Sequence, residues 1–369
     1  MFNFLPKSTT LDVACLSRLF EHKTTSYKLL FFGALLSLLE KESERKTWKG
    51  KYSYRSICIE MLIDAWYPHR FFALSFGLQD KVGSILEKIE FPTDENACKA
   101  QNARDLRAQI EYQFEAIQAK SLLRYAPYRL LTPFFTKELS GTRDSARRMR
   151  INELADQRFF TPTPPLYRIC QIEQTIHLHP YWMAYLTQHL PIIKSWHQHH
   201  WASFLQSRNP NVPAVITKAT KPSFRRSLTK QKAFWEKILG HTEIYCVYSG
   251  KLLTKENYAL DHFLPWSFVG HDQLWNLIPS DPTQNSIKGS KLPCRHDIQK
   301  FIETQHHALT TSYALLKKTE WKIAIESYRT DLKLAPCDII DKTELTNAYN
   351  QQLDPMISLA ENMGFVKRR

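Results

Sequence analysis

The sequence predicts a mainly α-helical protein carrying one small α+β subdomain, with a helical N-terminal region before it and a helical C-terminal tail after it. Two observations carry this prediction. Long segments on either side of residues 242–293 place apolar side chains at helical spacing. Between them, residues 243–288 read as strand, loop, strand and short helix, with polar side chains on each piece.

The 369 residues, 43% of them hydrophobic, suffice for two or three domains with sizeable cores. Charged residues make up 23%, the share of a globular chain rather than a disordered one. Fifty Lys and Arg against 36 Asp and Glu leave a net charge of +14. That excess suits a polyanionic partner, nucleic acid first and an acidic membrane surface second. The seven cysteines are scattered and form no C-x-x-C pair, which argues against a disulfide scaffold and fits the reducing cytoplasm. Residues Met1-Phe2-Asn3-Phe4-Leu5-Pro6 lack the pattern of a signal peptide. The most apolar run, 29–39, has eleven residues, where a membrane span needs about 20. A cytoplasmic protein without membrane insertion is expected.

Taken in order, residues 1–208 form a mostly helical domain for binding DNA or a partner. Thr24, Thr25 and Ser26 offer N-caps for a densely apolar helix over 27–40. Core segments follow at 57–66 and 71–78, then amphipathic helices at 81–89 and 103–119. Pro127 and Pro133 mark 125–135 as a turn-rich connector. Arg143, Arg147, Arg148 and Arg150 form a basic run that reads either as a helix face for phosphates or as an ordinary solvated surface. Alternation over 166–178 predicts a strand or hairpin, and Pro191 divides the helical stretch 180–205. His197, His199 and His200 lack a nearby carboxylate or cysteine at ligand spacing and read as packing or surface residues. A basic linker and lead-in helix occupy 209–241, the α+β subdomain 242–293, and amphipathic helices packing on it 294–369.

The chemistry gathers between Cys246 and Pro293. Asp261 and His262 end a β-type run, Asn276 lies in another over 275–278, and Asp281-Pro282 starts a helix as N-cap and first-turn proline. On that helix Asn285 and Lys288 are three apart and share a face. Phosphodiester hydrolysis needs an activated water and neutralisation of growing charge. Asp261 offers a hard oxygen to Mg²⁺, a cation that takes few protein ligands, and the Asn285 side-chain carbonyl offers a second. His262 suits a general base at neutral pH, its ring oriented by Asn276 or by a backbone carbonyl. Lys288 and Lys291 suit flanking phosphates, as do Arg225 and Arg226 of the linker.

Asp261-His262-x-x-Pro265-x-Ser267, then Trp275-Asn276-Leu277-Ile278, then Asn285-x-x-Lys288, resembles the HNH endonuclease motif with its ββα-metal fold. Asn276 and Asn285 fall 14 and 23 residues after His262, as the family spaces them. The resemblance implies His262 as general base, Asp261 and Asn285 as ligands of Mg²⁺ or Mn²⁺, and Asn276 as the structural and His-orienting residue. Many members add two C-x-x-C pairs around a structural zinc. Here Cys246 stands alone and Cys294-Arg295-His296 is a poor second pair, so no structural zinc is expected, with Phe263, Trp266, Phe268 and Trp275 holding the subdomain instead. The layout is also similar to HNH proteins of bacterial defence loci, with a long helical N-terminal part and Phe234-Trp235 ahead of the nuclease. It implies cleavage of phage or foreign DNA, possible defence-system protein partners and an open oligomeric state. The competing expectations are an HNH fold that grips nucleic acid without cutting it, and an RNase.

Overall fold

A computed structural model describes residues 5–91, 103–222 and 227–368. The chain divides into two compact units, one reaching to Pro210 and including Val215–Lys221, the other comprising Asn211–Ala214 and the chain from Pro222 onward.

The first unit contains helices α1 (Val13–Ser17), α2 (Tyr27–Glu44), α3 (Tyr54–Trp66), α4 (Val82–Leu86), α5 (Ala103–Gln113), α6 (Ala126–Leu131), α7 (Asp144–Arg158), α8 (Pro180–Gln188), α9 (Leu190–Arg208) and α10 (Val215–Lys218). Helix α2 buries every residue from Leu29 to Leu36, so it is apolar all round and lies at the centre of this unit. Gly33 sits where α9 comes closest: a Cβ there would stand 2.8 Å from the His197 ring. Strands β1 (Lys51–Ser53), β2 (Tyr167–Cys170) and β3 (Thr175–Leu178) make an antiparallel sheet in the order β1-β3-β2. The alternation at 166–178 is thus a hairpin, and β1 adds to its edge with Tyr52 opposite Ile176.

Two expectations change here. Residues 125–135 are not a connector but α6 followed by the 3₁₀ turn Thr132–Phe135. Pro127 and Pro133 each sit in a first turn, where the missing amide donor costs nothing, so they start helices rather than break them. The stretch expected as linker is likewise partly core: Val215 and Ala219 are buried, and the Ala219 carbonyl accepts from Trp201 Nε1 at 2.7 Å.

The second unit contains α11 (Thr229–Leu239), β4 (Ile244–Tyr245), β5 (Leu252–Leu253), β6 (Ala259–His262), α12 (Trp266–Val269), β7 (Leu277–Ser280), α13 (Pro282–Lys288), α14 (Arg295–Leu315), α15 (Lys318–Ala324), α16 (Glu326–Asp331) and α17 (Lys342–Asn362). Strands β4 and β5 form one antiparallel pair, and β6 and β7 another with His262 opposite Leu277. The C-terminal helices clamp this second pair. Phe301 of α14 stacks on Phe263 at 3.8 Å between ring centroids. Tyr349 of α17 donates to the Trp275 carbonyl at 2.9 Å, and Trp275 Nε1 donates to Asp331 of α16 at 2.6 Å. Gln305 donates to the Leu277 carbonyl at 2.8 Å and accepts from Tyr328 at 2.7 Å. These bonds lie in apolar surroundings, where a satisfied polar network fixes one arrangement of its members. Among the described residues no helix is long and apolar enough to cross a membrane.

Candidate active site

Asp261 and His262 close strand β6, and the helix that faces them begins just after β7. Asp281 caps that helix, its Oδ1 accepting from the amides of Thr283 at 2.9 Å and Gln284 at 3.1 Å. The Gln284 amide and Lys251 hold the Asp281 carboxyl below the usual carboxylate range against a smaller effect of burial. Pro282 takes the first helical position. The local sequence therefore sets where α13 starts, and with it which side chains return toward β6.

Lys288 returns first. Its side chain is buried, and Nζ lies 3.2 Å from Asp261 Oδ1, 3.1 Å from Oδ2 and 2.7 Å from the His262 carbonyl. All three ammonium hydrogens have acceptors within reach, as a buried charge requires. The expectation that Lys288 meets a phosphate at the surface is corrected by this burial: its charge is spent on Asp261. Asn285 lies one turn earlier on the same face of α13, half-buried. Lys291, beyond the helix, is exposed. Arg225 and Arg226 lie outside the described residues.

Asp261 has a second partner. Tyr248, in the turn between β4 and β5, donates to Oδ2 at 2.6 Å. Burial first, then the Asp261 charge, pushes the Tyr248 hydroxyl well above its ordinary value, so it remains a donor. Arg368 backs it: its guanidinium lies 4.7 Å from the Tyr248 ring centroid, donates to the Tyr248 carbonyl at 3.3 Å and pairs with Asp297 at 3.0 Å.

Asn276 is fully buried, and both ends of its amide go to the backbone of Leu264: Oδ1 accepts from the amide at 2.9 Å and Nδ2 donates to the carbonyl at 3.0 Å. With Phe263 N donating to the Asn276 carbonyl at 2.8 Å, this pins the turn that directly follows His262. A carboxamide carries both donor and acceptor, which is what one peptide's N–H and C=O need. The Asn276 amide is engaged with the Leu264 backbone, so it bears on His262 through this turn and not through a bond to the imidazole. His262 Nε2 is held instead by Asp272, 2.8 Å from Oδ1. His262 is 8% exposed and the Asp272 side chain 24%, so the pair sits at the rim of the fold. A neutral ring whose Nε2–H donates to a carboxylate carries its lone pair on Nδ1.

Tyr248, Asp272 and Arg368 escaped sequence reasoning. Asp272 had a usable signal, being a carboxylate in the connection between the strand that ends in His262 and the turn that carries Asn276. Tyr248 stands two residues after Cys246, where attention fell on the missing cysteine. Cys246 itself is buried, its sulfur accepting from the Asp281 amide at 3.3 Å. Phe263, Phe268 and Trp275 lie in the core of this unit, while Trp266 is half-buried.

Asp261 and Asn285 carry hard oxygen donors, although both Asp261 oxygens also face the Lys288 ammonium. That donor set fits a cation of the Mg²⁺ type, which keeps most of its waters. Among the described residues no three His, Cys, Asp or Glu side chains gather as a metal cluster.

No curated protein and no solved structure matches the chain. Residues 246–294, which span Tyr248, the β6–β7 pair and α13, match the model of the HNH endonuclease family. This segment belongs to that family, and the chain carries an HNH endonuclease domain.

Proposed function

We propose that the chain is a divalent-metal-dependent DNA endonuclease in which His262 is the general base and Asp261 and Asn285 hold the cation. The observation that carries this reading is the junction of β6 with α13: one face of the helix reaches Asp261 through Lys288, and Asn285 shares that face. Tyr248 and Lys288 fix the Asp261 carboxylate, so a cation there would share its oxygens with them. Asn285 adds a neutral oxygen. A divalent cation held by Asp261 and Asn285 would supply positive charge against the phosphate and the leaving 3′ oxygen. His262 takes a proton from the attacking water at Nδ1, while Asp272 holds the ring and stabilises the imidazolium that results.

One such site cuts one strand, so a monomer nicks and a double-strand break takes two sites or two events. The net charge of +14 supports a nucleic-acid substrate. A setting in defence against phage draws support only from the layout of the chain, and plating phage on cells with and without the gene tests it. The decisive experiment is nicking of supercoiled plasmid with Mg²⁺ or Mn²⁺, wild type against His262→Ala, beside a digest of total RNA. Nicking that needs the metal and vanishes in the variant is expected. Equal nicking by both proteins, or cleavage of RNA alone, overturns the assignment.

A further inference from the structure

Helix α7 changes character along one face. Its inner stripe, Ile151, Leu154 and Ala155, is buried in the first unit. Three and four residues toward the N-terminus that stripe continues as Arg148 and Arg147, and then as Asp144. All three are exposed, as is every residue from Arg143 to Met149. The first turns of α7 therefore overhang the core, and the face that would have been apolar is arginine.

The overhang meets more arginine. Arg148 lies over the Tyr128 ring of α6, 4.8 Å from the centroid. Arg124 and Arg129 both lie on the half-exposed ring of Tyr125, at 5.1 and 5.2 Å. Arg147 is tied back by Nε to the Thr142 carbonyl at 3.1 Å. A guanidinium laid on an aromatic face or anchored by one nitrogen has less freedom to lose and keeps N–H groups pointing outward. Among Arg124, Arg129, Arg143, Arg147 and Arg148, Arg129 pairs with Asp144 at 3.8 Å, with both side chains largely exposed. Lys28 sits close enough that Arg129, after burial, pushes its ammonium below the ordinary lysine value. Like charges held this close repel one another and gain from an anion between them.

We propose, resting on the DNA substrate proposed above, that this arginine shelf is where the N-terminal unit grips the sugar–phosphate backbone of duplex DNA. Arg143 to Arg148 covers roughly 8 Å of helix axis, enough to meet about two phosphates of one strand. The shelf offers charge without side chains arranged to read bases, so it adds affinity and not sequence preference.

The test is fluorescence anisotropy of the full chain on a labelled duplex across a salt series, in a His262→Ala background that leaves the DNA uncut. The triple variant R143Q/R147Q/R148Q is expected to weaken binding on the order of ten-fold or more and to make the log Kd against log salt line shallower by about 2 to 3. All three side chains are exposed, so the melting temperature should hold. Asp144→Asn serves where it does not, since removing the shelf's carboxylate should tighten binding about two-fold. Unchanged affinity and slope in both variants overturn the inference. So does a wild-type chain that binds anionic vesicles or RNA through this shelf and not duplex DNA. Cleavage is a separate readout. Loss of DNA binding in a chain that never nicks would sink the nuclease reading alone, and undiminished binding in a chain that nicks would sink only this one.

Discussion

Two histidines, one in each unit, look alike in the sequence and differ in what holds them. His197 of α9 gives Nε2 to the Leu29 carbonyl at 2.8 Å, among Phe20, Phe32 and the close backbone of Gly33. His262 gives Nε2 to a carboxylate. A carbonyl fixes a ring and does little for its charge, and the surroundings of His197 desolvate it enough to push its pKa down to about 4. A carboxylate fixes the ring and also welcomes the proton that the ring takes up. The first histidine is built to stay neutral, whereas the second is paired with a carboxylate at the rim of its site. His197 does line a cavity of about 200 Å³ with Asp64 and Lys194, so space beside an imidazole does not by itself make a base.

The contrast breaks most visibly at the rings themselves. His262→Ala should slow plasmid nicking by about 10²- to 10⁴-fold, the usual worth of a general base, with duplex binding retained. His197→Gln keeps a donor for the Leu29 carbonyl and should leave nicking within about two-fold. A His197 variant as dead as the His262 variant would place the wrong histidine at the chemistry.

Next in size is Asn276. Truncation to Ala strips the Leu264 amide and carbonyl of their partners in a dry interior, a loss of about 3 kcal/mol in denaturant unfolding of the second unit. Asn276→Asp should fare no better, because a carboxylate cannot donate to the carbonyl. If Asn276 steered the imidazole instead, Ala would cut activity and leave stability nearly intact. Asp272→Asn tests the true holder. The amide still bonds the ring but gives up the charge, and in the wrong rotamer it turns a donor toward Nε2. Nicking should fall about 10- to 100-fold, as with other residues that orient a working histidine. Nicking at the wild-type rate would mean that Asp272 does not hold the working ring.

How much of this was legible depended on range. The junction of β6, β7 and α13 could be read because each signal is local: Asp281-Pro282 announces a helix start, and short β-type runs precede it. Asn285 and Lys288 share a face by spacing alone. What spacing could not show was direction. Lys288 looks like any surface lysine until α13 is laid against β6, where its charge falls on Asp261. Arg368 is 107 positions beyond Asp261 in the chain, and only the fold brings it behind Tyr248. Pro127 and Pro133 misled for the opposite reason, since a proline marks a helix start as readily as a break and only the flanking hydrogen bonds decide. The N-terminal unit stayed opaque because apolar periodicity reports that a core exists and says nothing of what its surface meets.

The smallest effect is also the sharpest on the comparison, because it is a matter of protons alone. A histidine whose folded pKa is depressed contributes stability that is full above the unfolded value of about 6.5 and is lost as pH falls toward the folded value. For His197 that value is about 4, so the first unit should weaken on acidification between about pH 6.5 and 4. His200, also pushed down to about 4, weakens it in the same window. Asp64, raised to about 7 by burial, works in the other sense: its neutral form is favoured in the fold, so it adds stability as the pH drops. Thermal melts of the full chain at pH 7 and pH 4.5 should show the transition of the first unit falling in the wild type. The fall should be smaller in His197→Gln, which keeps the hydrogen bond and cannot be charged, and larger in Asp64→Asn, which removes the opposing group. An identical fall in wild type and His197→Gln would mean that the ring at α9 is free to charge in the folded protein. His197 would then no longer serve as the neutral counterpart against which His262 has been read.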